Sequence, residues 1–346
     1  MTNGSLTNSS APYGSDGTDL AMVAGTPLTA YAVGTTRAVS YRLGQPQPIP
    51  AVSSPDSHAF VDSQCCTYNT GVGYDATHHQ AWAVWYENSH LKTTDGIDAQ
   101  QLEPSLGASH VHAPGSTLLS GGTYESVQIN HRIEVAQRLG GGLYAGYVEG
   151  YPSANKVALW RLGSGTAMVR KVGPALGTDV QAVGVAAGIK GRIWLYWWKN
   201  GSHTIQVART SPSANRIGST CSVTLPAGAD DVADMVGNAS AGPLSLFIDA
   251  GTSNGAVYSK VIGGCFGVAV SPHKISHTKR GTVHVFVTDA GAPVKGAKVH
   301  FRGKTHATNK SGRTTFTVTK GTAKGKYRLT VTAAGYLKAI RFVRVV

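Results

Sequence analysis

Carboxylates recur at one place in the repeating pattern of this 346-residue chain. Glu87, Glu149 and Asp249 each stand two residues beyond an aromatic that closes a short apolar run, and Lys199 takes that place in a fourth copy. A pair of carboxylates at the right separation can serve as acid and base, or acid and nucleophile, on a glycosidic bond. Arg42, Arg161, Arg209 and Lys260 recur at matching offsets farther along, with Gln101 in the remaining copy. The carboxylates, however, fall where a strand runs into a turn, a place where acidic side chains are ordinary. The basic set reads as pleat positions that face solvent or brace a neighbouring sheet. No catalytic residue is assigned.

Other chemistry-bearing types are sparse. "DATHHQ" places His78 beside His79, and "ASHVHAP" places His110 and His112 two apart, on one face of a strand. Neutral imidazoles so placed can bind a metal, but no third ligand follows and no C-x-x-C pair exists, so no metal and no cofactor are expected. "RLGSGT" lacks the lysine and the strand–helix setting of a phosphate loop. Trp194, Tyr196, Trp197 and Trp198 crowd into one run. Neighbouring strand residues point to opposite faces, so one of Trp197 and Trp198 is expected to be open enough to stack on a sugar; both are glycan-binding candidates.

The elements that would position these groups are strands. Forty-three glycines, with abundant Ser, Thr, Ala and Val and no long helical pattern, give an all-β composition. Five segments end in an aromatic: "LTAY", "WAVW", "YAGY", "WLYW" and "LSLF", closing on Tyr31, Trp85, Tyr147, Trp197 and Phe247 at intervals of 54, 62, 50 and 50 residues. A turn and a second alternating strand follow each, and further strands can be read around several. Units of about 50 residues with four short strands are the mark of a β-propeller blade, because one small sheet cannot cover both its faces while radial stacking covers them all. Five blades fit between residues 19 and 270, after a flexible polar segment at 1–18. The interval of 62 leaves room for a loop around "GASHVHAPGSTLLSGG" or for a sixth, degenerate blade, and an array of β-sandwiches is the alternative architecture. The segments "GVGYDATHHQAWAVWYEN", "LYAGYVEGYPSANKVALWRLG" and "GRIWLYWWKNGSHTIQVART" resemble blades of sialidase-like (neuraminidase-like) bacterial propellers. The S-x-D-x-G-x-x-W turn of that family is missing, so its catalytic roles are not carried onto residues here.

"SPHKISHTKR" (271–280) breaks the apolar pattern and reads as a linker to a second module at 281–346. There "VTDAGAPVKGAKV", "TNKSGRTTF" and "YRLTVTAAGY" resemble the bacterial immunoglobulin-like and carboxypeptidase regulatory-like domains, which implies a compact β-sandwich without catalytic residues of its own. Its charge is one-sided. Residues 271–346 hold sixteen Lys and Arg against one acid, Asp289, while the preceding 270 residues are almost balanced. Alternation leaves one face of each strand in water, and Lys298, Arg302, Lys304, Arg313, Lys326 and Arg328 are the polyanion-binding candidates. Solubility needs far less charge than this, and an anionic partner would relieve the self-repulsion. No sequence-reading motif for nucleic acid is present.

Cys221 and Cys265, 44 positions apart and each opening an apolar run, are the disulfide candidates; Cys65 and Cys66 are adjacent, with no pairing assigned. No apolar run is long enough for a transmembrane helix, and the first residues lack the basic and apolar parts of a signal peptide. The expected protein is secreted or displayed on a cell surface and binds a glycan or an extracellular polyanion, with the basic module as anchor. A sialidase-type glycoside hydrolase and a structural matrix or filament subunit are the rival readings. Oligomeric state is not legible.

Overall fold

The computed structural model describes the chain from residue 71 to 346, apart from 88–95, 104–110, 117–132, 150–154, 172–179, 200, 226–231, 233 and 250–256; before residue 71 it describes the backbone of the strands alone. Five small antiparallel sheets follow one another. The first joins β1 (Thr18–Val23), β2 (Thr26–Val33), β3 (Arg37–Arg42) and β4 (Ser57–Val61); the second β5 (Thr67–Asp75), β6 (Gln80–Glu87), β7 (Gly96–Glu103) and β8 (Val111–His112). The third holds β9 (Val135–Gln137), β10 (Leu143–Glu149), β11 (Lys156–Arg161) and β12 (Ala167–Lys171). The fourth holds β13 (Val180–Ala187), β14 (Ile193–Lys199), β15 (Thr204–Arg209) and β16 (Cys221–Thr224), and the fifth β17 (Asp234–Asn238), β18 (Leu244–Asp249) and β19 (Val257–Ile262). In each sheet the strands pair in chain order, and the first strands β1, β5, β9, β13 and β17 contact one another in succession. This is the arrangement of a β-propeller, with the repeated aromatic-ended runs forming the second strand of every blade.

The reason these sheets stack is visible in β14, where six successive residues, Ile193 to Trp198, are buried. Trp194, Tyr196 and Trp198 join the core shared with Leu244, Leu246 and Ile248 of the fifth blade. Ile193, Leu195 and Trp197 join the core shared with Tyr144, Val157 and Leu159 of the third. A strand with both faces covered reads as a continuous apolar run, and removing one such indole costs about 3–5 kcal/mol. The closing aromatics Trp85, Tyr147 and Trp197 are buried; Phe247 is 47 % exposed, on the fifth-blade face that also leaves Val257 and Val261 in solvent. The side chain of Tyr31 lies outside the described residues.

The remaining strands form a two-sheet sandwich. One sheet contains β20 (Gly267–Ser271), β22 (Gly281–Asp289), β23 (Ala292–Pro293) and β26 (Arg313–Val318). The other has the order β21 (Lys274–Ile275), β28 (Ala339–Val345), β27 (Gly325–Thr332), β24 (Lys298–Phe301) and β25 (Lys304–Ala307). Val283, Val285, Val287 and Phe316 from the first meet Val299, Phe301, Leu329 and Val343 from the second in one core. β20 and β21 thus take residues expected to end the propeller and to form the linker, and pair them inside the sandwich: Val270 opposes Val285 and Ile275 opposes Val345. Their apolar side chains Val270 and Ile275 are buried there, which outweighs the Pro and charge that mark the stretch as a break.

Candidate functional site

The two recurring carboxylates whose side chains are described, Glu149 and Asp249, do not meet. Glu149 lies 3.8 Å from the Lys156 Nζ across its own hairpin, and Asp249 is exposed on β18 opposite Asp234. The Glu87 side chain lies outside the described residues. Of the basic set, Arg161 is exposed, the Lys260 Nζ donates to the Thr224 carbonyl at 2.9 Å, and Arg209 has a different role, given below; the Arg42 side chain is not described.

Residues in and beside β9, β13 and β17, with Val72 of β5, line an open cavity of about 410 Å³. Its described lining is mostly small or apolar, including Val72, Val135, Val185 and Ala186, and Glu134 is the one carboxylate in it. Glu134 is buried at 7 % exposure, and its Oε2 accepts from the Val185 N–H at 2.8 Å and from the Tyr196 hydroxyl. The carboxylate of the third blade is therefore held by two donors of the fourth. A Cβ on Gly184 would stand 2.2 Å from the Tyr196 ring and 2.4 Å from this carboxylate, so the close approach requires glycine. This contact braces two blades. Tyr196→Phe removes a hydrogen bond to a buried carboxyl group and is expected to lower stability by about 2 kcal/mol, read from the urea midpoint; an unchanged midpoint would mean that the hydroxyl is not holding the blades.

Two of the histidines are likewise held by carboxylates, and the Nδ1 of His79 lies 3.2 Å from the Tyr74 hydroxyl. The Nδ1 of His78 lies 2.6 Å from the Asp75 Oδ2, and the Nδ1 of His112 lies 3.1 Å from the Asp98 Oδ1. Burial works to raise the Asp75 carboxyl, but His78 and the N–H groups of Gly142 and Thr77 together outweigh it and hold the group below the usual carboxylate range. Among the described residues no group of three His, Cys, Asp or Glu side chains is placed to hold a metal. His110, Cys65 and Cys66 lie outside the described residues. Trp197 and Trp198 are 2 % and 1 % exposed. Neither indole face is open to a sugar, against the expectation from alternation, because both faces of the blade are covered by neighbours.

A polar cluster joins the fourth blade to the sandwich. The hairpin between β22 and β23 turns at Ala290 and Gly291, both at positive φ as a two-residue type I′ turn requires, and it delivers Asp289 into the interface. Arg209 donates to the two Asp289 oxygens at 3.2 and 2.7 Å, Arg192 adds a contact at 3.0 Å, and the Tyr336 hydroxyl donates at 2.9 Å. The Arg209 guanidinium lies between the rings of Trp194 and Tyr336, 5.3 and 4.8 Å from their centroids, and Tyr336 stacks on Phe266. A Cβ on Gly264 would fall 2.4 Å from the Arg209 guanidinium carbon, so glycine makes room for it. Burial, with the neighbouring Asp289 charge next, raises the Tyr336 hydroxyl; burial lowers the Arg192 guanidinium against the opposing pull of Asp289. Cys221 and Cys265 form a disulfide that ties β16 to the segment entering the sandwich. Composition did not reveal this cluster. The one signal was that Asp289 is the sole acid of its module.

That placement changes the electrostatics of the rest of the module. Its only acidic side chain is 2 % exposed and neutralised by arginines of the propeller, so the sixteen cations are left with no acidic side chain of their own in solvent. Lys298, Arg302, Lys304, Arg313, Lys326 and Arg328 are all exposed. The structure gathers part of this set, with two more, on the outer face of the five-stranded sheet. Register sets Lys274 beside Arg344 and Arg344 beside Lys326, and Arg328 beside Phe342, with Lys298 on β24. Neighbouring strands lie about 4.8 Å apart, so Lys274, Arg344 and Lys326 form a row across three strands. Arg302 lies over the Tyr327 ring at 5.1 Å, and Arg313, on the other sheet, lies over Phe286 at 4.7 Å.

No family model matches the chain and no curated protein does. Solved structures that align with the chain include an exo-β-1,3-galactanase from Phanerochaete chrysosporium, at 10 % identity and a TM-score of 0.40 over 96 % of this chain and 95 % of that one. An exo-1,5-α-L-arabinanase from a bovine ruminal metagenomic library aligns at 8 % identity and 0.37, over 72 % and 92 %. Prolyl oligopeptidase B from Galerina marginata aligns at 11 % and 0.36, over 93 % of this chain and 49 % of that one. At such identities and scores no residue role passes from them to this chain, whose propeller rests on its own five sheets.

Proposed function

We propose that this protein is an extracellular binding protein that captures an anionic polymer on the basic sandwich, with the propeller as the rigid body to which that sandwich is clamped. The observation that carries this reading is the combination of the cation row Lys274–Arg344–Lys326 on an open sheet face with the turning-in of Asp289, which leaves that charge uncompensated. Charge alone would serve solubility. A row at strand spacing on one face, joined by Arg328 and Lys298, additionally matches a linear partner. The disulfide suits an oxidising compartment, and among the described residues no helix is long and apolar enough to cross a membrane. The sandwich is read as immunoglobulin-like and the propeller as sialidase-like in shape, on the sequence patterns given above. A glycosidic reaction in the cavity would need a second carboxylate facing Glu134, and the described lining offers none.

The test is retention of the full chain on immobilised heparin over a range of salt. Releasing counterions makes affinity fall with salt in proportion to the contacts made. The triple variant Lys274→Gln, Lys326→Gln, Arg344→Gln is expected to lower the slope of log affinity against log salt by about 3. The charge-matched control Lys310→Gln, Lys320→Gln, Lys324→Gln, in exposed turns, is expected to lower it by less than 1 on the same rule. Equal losses in the two variants would mean that net charge, and no particular face, holds the polymer.

A further inference from the structure

The cationic face is not uniformly cationic. Inward-facing Val343, Val345, Leu329, Val331 and Val299 belong to the core, so their strand neighbours Phe342, Arg344, Arg328, Thr330, Lys298 and His300 point outward. Phe342 stands 46 % and Ile340 37 % exposed. Across the sheet Ile340 opposes Thr330, which opposes His300, and Phe342 opposes Arg328. A strip of one aromatic, one aliphatic, one hydroxyl and one imidazole therefore runs across the strands. The row Lys274–Arg344–Lys326 with Arg328 bounds it on one side, and Lys298 on the other. The Lys326 Nζ sits 4.1 Å from the centre of the Phe342 ring, so a charge and an apolar surface are presented together.

A partner recognised by charge alone has no use for the strip, since exposed Phe and Ile amid cations contribute nothing to a bare phosphate chain. A pyranose ring has a flat apolar face, hydroxyls at its rim and, in a uronic acid, one carboxylate per sugar. Arginine's planar fork fits a carboxylate with two parallel hydrogen bonds, and Arg344 and Arg328 flank Phe342 directly. Resting on the polyanion reading above, we propose that the occupant of this face is a uronic-acid polysaccharide. It lies across the strands, with a sugar ring on Phe342 and Ile340 and its carboxylates on Arg344, Arg328, Lys326 and Lys274. Single-stranded nucleic acid could also stack on an aromatic, but the binders of that class present a series of rings to successive bases, and this strip holds a single exposed phenyl ring.

The experiment measures binding of the full chain to polygalacturonate, inorganic polyphosphate and oligo(dT) at fixed salt. Phe342→Ala is at an exposed site, and its folding is checked by circular dichroism. It is expected to weaken polygalacturonate about tenfold, the loss of roughly one stacking contact, and to leave polyphosphate unchanged. Arg344→Gln is expected to weaken both. Wild-type protein should prefer polygalacturonate to oligo(dT). A Phe342→Ala variant that binds polygalacturonate as wild type does, or a preference for oligo(dT), overturns the assignment of the sugar while leaving the cationic face standing. Absence of binding to all three polymers overturns both.

Discussion

Asp289→Asn is expected to destabilise the protein by about 3–5 kcal/mol, the usual consequence of removing one partner from a buried ion cluster. The carboxylate is 2 % exposed, and the side chains of Arg192 and Arg209 are 13 % and 12 % exposed. Asparagine preserves the shape and can still accept from Tyr336, but it leaves two guanidinium groups facing each other in a site from which water is largely excluded. Their mutual repulsion, already one cause of the lowered Arg192 affinity for its proton, then acts without a counter-charge. Because Asp289 belongs to the sandwich and both arginines to the fourth blade, the loss should loosen the junction. Urea unfolding, expected as a single transition in the wild type, should separate into two in the variant. Tyr336→Phe removes only one hydrogen bond from the same oxygen and should cost about 2 kcal/mol. An Asp289→Asn cost below that of Tyr336→Phe would mean that the arginines are solvated well enough to need no partner, and the clamp would then not be what joins the two parts.

The second large effect is expected from the disulfide. Cys221 and Cys265 are 44 positions apart, and the closed loop contains the whole of the fifth blade, β17 to β19. Closing a loop of that length removes unfolded-state entropy worth about 4 kcal/mol. The double variant Cys221→Ala, Cys265→Ala should lose about that much in urea unfolding, and wild-type protein held in reductant should unfold at the same midpoint as the variant. Among the described residues the fifth blade has three strands where the second, third and fourth have four, and one of its faces is exposed. It is therefore less able than those three to hold itself by packing. A loss well under 1 kcal/mol would mean that the reduced, unfolded chain already keeps the ends of this loop together.

Legibility in the sequence followed physical range. The second strand of every blade was readable, because an apolar run ending in an aromatic at intervals near fifty residues is set by local alternation and by the width of a blade. The turn at "DAGAP" and the alternation of Val283, Val285 and Val287 were readable for the same reason, and the valines are the sandwich core. The exposure of Lys298, Arg302, Lys304, Arg313, Lys326 and Arg328 was also readable, since a two-sheet sandwich has one dry and one wet side to each strand. Trp197 and Trp198 were misread by that rule. It holds for a sheet with one wet face, whereas β14 is covered by the third blade on one side and the fifth on the other.

By itself, then, the sequence determined an all-β chain, a repeat of small sheets and a basic last quarter. These follow from side-chain period, turn residues and composition, all of which act within one strand or one hairpin. Tertiary structure alone decided what the charges do. It carried Asp289 across 80 positions to Arg209, set Glu134 against Tyr196 and brought Lys274 next to Arg344. Such pairings depend on which strands become neighbours, and many residues of the right type compete for each place. Only the burial of the intervening cores selects among them.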